Sequence, residues 1–169
     1  MHAVRNAVLF CLAVLLLTPT GCSKPRPDGM PELVPCTVVL KYSDGKPAEG
    51  VTVVLNSDSP ALLKWPSAGV TDSSGKAKIV TYGQYPGAPE GEFKVVLKKI
   101  EIVGETNSDD GSEGQKEPIE YYSLVGTDFT KPETTPLTLT VGKKSVSETF
   151  DIGEEKRELV DRFVPGASL

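Results

Sequence analysis

The feature that most constrains the fold of this 169-residue chain is a series of short apolar runs alternating with period two, each closed by a turn rich in Gly, Pro, Asp or Ser. Val34, Val38, Leu40 and Tyr42 mark the first run, which ends in Ser43-Asp44-Gly45-Lys46-Pro47; Val51, Val53 and Leu55 mark the second. Successive side chains of a strand point to opposite faces, so this spacing builds sheets with one apolar face, and no stretch of the mature chain has the long 3.6-residue period of an amphipathic helix. The expectation is an all-β chain in which these two runs form a hairpin.

The same grammar continues. Gly69-Val70-Thr71, the turn Asp72-Ser73-Ser74-Gly75, and Lys76 to Tyr82 predict a second hairpin, with Asp72 accepting local backbone N–H groups and Gly75 supplying positive φ. A Gly- and Pro-rich loop from Gly83 to Gly91 precedes the longest strand signal, Glu92 to Val103. Ile119 to Val125 predicts another strand. Leu137 to Val141 and Ser145 to Ile152, joined by Gly142-Lys143-Lys144, predict a closing hairpin. Residues 154–164 carry Leu159, Val160, Phe163 and Val164 at spacings that suit a short C-terminal helix. The predicted core is Val38, Leu40, Val53, Leu55, Ile79, Phe93, Val95, Leu97, Leu139 and Phe150.

The N-terminus sets the address. Arg5 precedes an unbroken apolar run, Ala7 to Leu17, and Thr18-Pro19-Thr20-Gly21 leads into Cys22. That is the layout of a secretory signal peptide, too short for a membrane span of about 20 apolar residues. A cysteine directly after Gly21 resembles the cleavage and acylation site of bacterial lipoproteins, with the departure that Pro19 stands where the motif usually has Leu. The division expected is a signal peptide over 1–21, a lipidated Cys22 with a Pro-rich tether to residue 32, one domain over 33–152, and a charged tail over 153–169. The segment 104–118, acidic and almost free of apolar residues, is expected to be a mobile loop.

Charge and cysteines exclude several classes. The chain carries 18 Lys and Arg against 23 Asp and Glu, and Arg5 leaves with the signal, so the mature net charge is −6. No basic stripe exists, which argues against nucleic-acid binding. Of the three cysteines, Cys11 is removed with the signal. Cys22 is then either acylated or free to pair with Cys36; in the first case Cys36 is a buried thiol in the first strand, and neither case gives a disulfide framework. The single histidine, His2, lies in the signal peptide, so the mature chain lacks the base of a Ser-His-Asp or Cys-His mechanism and the usual zinc ligand. Asn107, Asp109 and Asp110 lack the Glu twelve positions along that a calcium loop needs. No catalytic residue, metal site or cofactor is expected.

The order of the turns, Asp44-Gly45-Lys46-Pro47-Ala48-Glu49-Gly50, Gly69 to Lys76, and Gly87 to Val95, resembles the carboxypeptidase-regulatory-like, transthyretin-like β-sandwich family, and in particular its short planctomycete lipoproteins. Pro132 to Val141 is similar to the last strands of that group. The resemblance implies one prealbumin-like, Ig-like Greek-key sandwich of about seven strands, without peptidase activity. Cys36-Thr37 in place of a frequent Gly, and the long acidic insertion, depart from the pattern.

The expected function is therefore that of a non-enzymatic, lipid-anchored envelope protein serving adhesion, assembly or support, held to a membrane through Cys22 and facing an envelope protein or polysaccharide. Ser23, in place of the Asp that retains many lipoproteins at the inner membrane, favours the outer membrane. The alternative is a cell-surface carbohydrate-binding module, with Trp65, Tyr82 and Tyr85 as the ligand-stacking residues; Tyr121 and Tyr122 are further loop-side aromatics. A hydrolase using Asp72 and Glu90 as acid and base is the weakest alternative, since Asp72 already has a role in its turn.

Overall fold

The computed structural model of the protein describes residues 25–104 and 118–163. Cys22, the start of the tether, residues 105–117 of the acidic segment with Asn107, Asp109 and Asp110, and the last six residues lie outside the described residues. In chain order the strands are β1 (Leu33–Val34), β2 (Cys36–Lys41), β3 (Thr52–Asn56), β4 (Ser67–Val70), β5 (Lys76–Lys78), β6 (Val80–Thr81), β7 (Tyr85–Pro86), β8 (Ala88–Pro89), β9 (Gly91–Lys98), β10 (Ile100–Val103), β11 (Ile119–Ser123), β12 (Thr138–Val141), β13 (Val146–Asp151) and β14 (Glu158–Phe163). One helical turn, α1 (Pro60–Leu63), lies between β3 and β4, and a 3-10 turn, Thr127–Thr130, lies between β11 and β12.

The protein is an all-β sandwich. A six-stranded sheet, β12-β9-β3-β4-β6-β7, packs on a three-stranded sheet, β13-β2-β5; β1 pairs with β8, and β10-β11-β14 form a further small sheet. The period-two patterns fill the space between the layers: Val38 and Leu40 from one sheet meet Val53, Leu55, Phe93, Val95 and Leu97 from the other, with Ala77, Ile79, Leu139, Val141 and Ile152 around them. Nine of the ten predicted core residues are buried. Phe150 is the exception, half-buried against the cluster because β13 is an edge strand.

Strand pairing departs from the sequence expectations. β2 and β3 do not form a hairpin: β2 pairs with β5 and β13, and β3 with β4 and β9. After the bridge Lys41↔Pro47 the chain crosses to the other layer, carrying Ala48 and Val51, both fully buried, through the core. Thr71 supplies the bonds a hairpin partner would have given. Its hydroxyl donates to the Ala48 carbonyl (2.6 Å) and accepts the Val51 N–H (2.8 Å), while its own N–H donates to the Val51 carbonyl (2.9 Å).

The second predicted hairpin exists only at its far end. β4 pairs with β6 through Ser67↔Thr81 and Ala68↔Val80, whereas β5 joins β2 in the opposite layer. The run Lys76 to Thr81 thus changes sheets at Ile79. The turn before it follows the expected chemistry: Asp72 Oδ1 accepts the N–H groups of Ser74 (2.8 Å) and Lys76 (3.1 Å), and Gly75 has φ +75°.

The last two predicted strands also separate. β12 is antiparallel to β9, and β13 is parallel to β2, with the Val146 N–H bonded to the Pro35 carbonyl and that of Ile152 to the Lys41 carbonyl. Gly142 to Lys144 span the layers rather than turn within one. Finally, the tail forms a strand and not a helix. A short helix alone is marginal in water, and β14 instead completes the ladder of β11, with a bulge between Tyr121 and Tyr122.

Candidate functional site

Of the three residues named for ligand stacking, the structure brings two together. α1 ends in a turn closed by the Trp65 N–H on the Leu62 carbonyl (2.9 Å), and Leu62 is held beneath it against Gly91 and the core. Trp65 is thereby fixed at the entrance to β4, its carbonyl accepting the Ser67 hydroxyl (3.1 Å). On the neighbouring strand, Tyr82 follows β6 with φ +56°, the one non-glycine residue at positive φ among the described residues, and its N–H donates to the Pro66 carbonyl (2.8 Å). A left-handed tyrosine costs about 1–2 kcal/mol. The outcome is an edge-to-face pair, ring centroids 5.7 Å apart at 64°.

The pair rests on a buried polar support. The Ser67 and Thr81 hydroxyls lie 2.9 Å apart below it, and that of Thr81 donates to the Gly87 carbonyl (2.8 Å). Above, the site is open: Tyr82 is 53% exposed, Trp65 is half-buried, and Leu63 at the end of α1 is exposed. A tryptophan face set at a steep angle to a tyrosine ring offers two apolar walls and one hydroxyl, which suits a ring with an apolar face and polar edges. Tyr85 does not join it. Its side chain points inward opposite Thr81 and is buried, and its hydroxyl donates to the Pro25 carbonyl (3.0 Å), so it ties the N-terminal segment to the domain.

The titratable candidates are occupied by the fold. Asp72 also accepts the Ser74 hydroxyl (2.6 Å), and that bond, followed by the backbone N–H groups of Lys76 and Ser74, holds its carboxyl below the ordinary value. Glu90 is exposed between β8 and β9, remote in the topology from the Asp72 turn between β4 and β5. Cys36 is buried in β2, and burial pushes its thiol up to about 11, so it is neutral and inert at physiological pH.

Tyr121 and Tyr122, on β11, are away from the Trp65 pair. Arg157 lies 3.5 Å over the ring of Tyr122 and bonds Glu101 (2.7 Å), while the Tyr122 hydroxyl donates to Glu120 (2.5 Å), which also pairs with Arg162. That hydroxyl, then Arg162, hold the Glu120 carboxyl low. The sequence did not mark this network, because its members come from β10, β11, the β13–β14 connection and β14. A cleft of about 440 Å³ lies between Tyr42, Asp44, Lys46, Glu49, Lys99 and the Glu154-Glu155 pair. Its lysines are engaged locally, Lys46 with Asp44 (2.6 Å) and Lys99 with the Glu49 carbonyl (2.8 Å). Among the described residues no group of three or more His, Cys, Asp or Glu side chains is placed to hold a metal ion.

No family model and no curated protein matches the chain. Among solved structures it is similar to BcpA, the major pilin subunit of Bacillus cereus, at 14% identity and a TM-score of 0.39, covering 72% of this chain and 30% of that one. It is similar also to a 9R-lipoxygenase from Cyanothece PCC8801, at 16% identity and a TM-score of 0.33, covering 88% of this chain and 20% of that one. The chain thus spans less than a third of either protein. Likeness at this level assigns no activity.

Proposed function

We propose that this is a non-enzymatic, lipid-anchored protein of the cell envelope, built as one carboxypeptidase-regulatory-like sandwich on an N-terminal tether, and serving adhesion or assembly. The observation that carries the reading is the apolar segment Ala7 to Leu17 running into Cys22, followed by Pro-rich chain up to β1. Three features support it. The mature chain has no histidine. The carboxylate with the clearest local environment, Asp72, is spent on a turn. Among the described residues every buried side-chain N and O atom has a hydrogen-bond partner, so none is left aimed at a substrate. Metabolic labelling with a fatty-acid analogue tests the anchor: the wild type takes the label and Cys22→Ala does not, whereas a mature protein that carries no lipid overturns it.

A second reading, a carbohydrate-binding module of the cell surface, is favoured by one observation, the backbone strain at Tyr82 that sets an exposed ring against Trp65. Its pair is Trp65 and Tyr82. Because Trp65 is the chain's single tryptophan, its fluorescence reports the site directly. Glycan binding that changes this emission and is lost in Trp65→Ala and Tyr82→Ala, with the fold retained, supports the module; no binding across a broad glycan panel removes it.

A further inference from the structure

Five of the eight large apolar side chains exposed among the described residues, Ile100, Ile102, Val103, Leu159 and Val160, lie in the small sheet β10-β11-β14. Ile102 is 61% exposed, and it stands on the sheet's outer strand. The direction of the backbone groups there follows from one bond. The Lys99 carbonyl accepts the Leu124 N–H (2.9 Å), and the register runs without a shift from Ile100↔Ser123 to Val103↔Glu120. Glu101 and Val103 therefore turn their N–H and C=O groups towards β11, and Ile100 and Ile102 turn theirs away from it. Among the described residues no strand pairs with that outer edge.

Three other edge strands are guarded in familiar ways, and β12, Thr-Leu-Thr-Val, exposes its threonines while burying its Leu and Val. β5 carries Lys76 and Lys78, β13 carries Glu148 and Asp151, and β14 is bulged and carries Asp161 and Arg162. β10 reads Ile-Glu-Ile-Val, and its one charge is taken by Arg157, in the connection just before β14. An apolar edge without lysine, proline or a bulge is a template for another strand.

We propose that β10 is a self-association edge, on which a second copy of this chain adds antiparallel to the same strand about a two-fold axis at Ile102. The choice of occupant and register comes from backbone direction, charge and space. Centred on Ile102, the two copies meet as a hydrogen-bonded pair, each Ile102 exchanging N–H···O bonds with Ile102 of the partner subunit. Glu101 then faces a valine. An axis at Glu101 would also align the outward backbone groups, Ile100 against Ile102, but it would set two carboxylates against each other in the closer, non-hydrogen-bonded pair. An axis at Ile100 would need the position beside Lys98, which Thr52 of β3 already holds. With the axis at Ile102 the paired stretch runs from Ile100 to Gly104 and stops short of Lys98, whose neighbour is Thr52. The product is a continuous six-stranded sheet with Tyr121 and Ile102 of both copies in one apolar row. No ion pair crosses this junction, and both copies carry net negative charge, so added salt strengthens it. The contact does not depend on acylation of Cys22.

Sedimentation and light scattering of the detergent-solubilised mature protein test it. The expected result is a reversible dimer, tightened by salt and weakened about tenfold or more by Ile102→Pro, which removes the outward N–H, and by Ile102→Lys, which sets two cations on the axis. Val70→Lys, at an exposed site on the six-stranded sheet, leaves it unchanged. Ile102→Cys gives a covalent dimer under mild oxidation beyond that of the native cysteines, because Cα atoms of a hydrogen-bonded antiparallel pair are about 5.5 Å apart, within disulfide reach. Thr138→Cys, on the edge strand β12, does not. Circular dichroism verifies that each variant is folded. A wild type that stays monomeric at every concentration, or a dimer that survives Ile102→Pro in a folded variant, overturns the proposal.

Discussion

Replacing Thr71 by valine tests the chain crossing that takes the place of the expected first hairpin. The side chain is 3% exposed, and its hydroxyl is the bonded partner of both the Ala48 carbonyl and the Val51 N–H, on residues that are themselves fully buried. Valine preserves the shape and leaves both backbone groups without a partner or access to water. Each unsatisfied group costs about 1–3 kcal/mol, and the added methyl returns about 0.8 kcal/mol, so the net loss is about 1–5 kcal/mol. Thr71→Ser keeps the hydroxyl and loses only a buried methyl, about 1 kcal/mol. In urea, where a small domain loses about 1–3 kcal/mol per molar, the valine variant should unfold at a midpoint lower than the serine variant by about 1 M. The measurement is a urea titration of the mature protein followed by far-ultraviolet circular dichroism. A valine variant as stable as the serine variant would mean that the hydroxyl does not hold the crossing.

Two further substitutions separate strain from packing and give a pH signature. A methyl group at Gly75, where φ is +75°, would collide with the Leu40 carbonyl oxygen, whereas Gly83, at φ +68°, has open space around it; Gly75→Ala should cost about 3 kcal/mol and Gly83→Ala about 1 kcal/mol by thermal or urea unfolding, and equal losses would contradict the close approach of the turn to β2. Cys36 is an acid whose folded value, about 11, lies above its ordinary 9.0, so the fold disfavours the thiolate: its contribution is flat below about 9 and is lost as the pH rises towards 11, so the alkaline fall is shallower in Cys36→Ala, where Tyr42, raised chiefly by burial, still contributes; a wild type whose alkaline stability curve matches the alanine variant would refute this.

The class of fold was legible because burial follows local spacing. Val38 and Leu40, Val53 and Leu55, and Phe93, Val95 and Leu97 each sit two residues apart, and a strand puts such residues on one face whatever it pairs with. Partner choice leaves no such local trace. β3 shows the same alternation whether its neighbour is β2 or β9, and the sequence contains nothing that distinguishes Gly142-Lys143-Lys144 turning within a sheet from the same residues crossing between sheets. Where a turn must obey local chemistry, as at Asp72 and Gly75, the reading of residues carried through to atoms. The strand formed by the tail could not be inferred from its own residues, because the edge that receives it belongs to β11.

The candidate site divides along the same line. Trp65, Tyr82 and Tyr85 stand together in the sequence as aromatics near loops, and that proximity says nothing about facing. Parity does: Tyr85 lies opposite Thr81, whose side chain is fully buried, so it must point inward, while Tyr82, one residue beyond Thr81, must point out. Once the sheet change at Ile79 is known, the pairing of Tyr82 with Trp65 follows from the register Ser67↔Thr81, which sets the residues flanking each strand end side by side. The exposed edge of β10 is the converse case. Its Ile-Glu-Ile-Val pattern resembles any half-buried strand, and what distinguishes it is the missing neighbour on the β3 side, where β3 begins only at Thr52, opposite Lys98. A strand that outruns its partner by four residues has backbone groups to offer, and the side chains it carries decide whether solvent or another chain takes them.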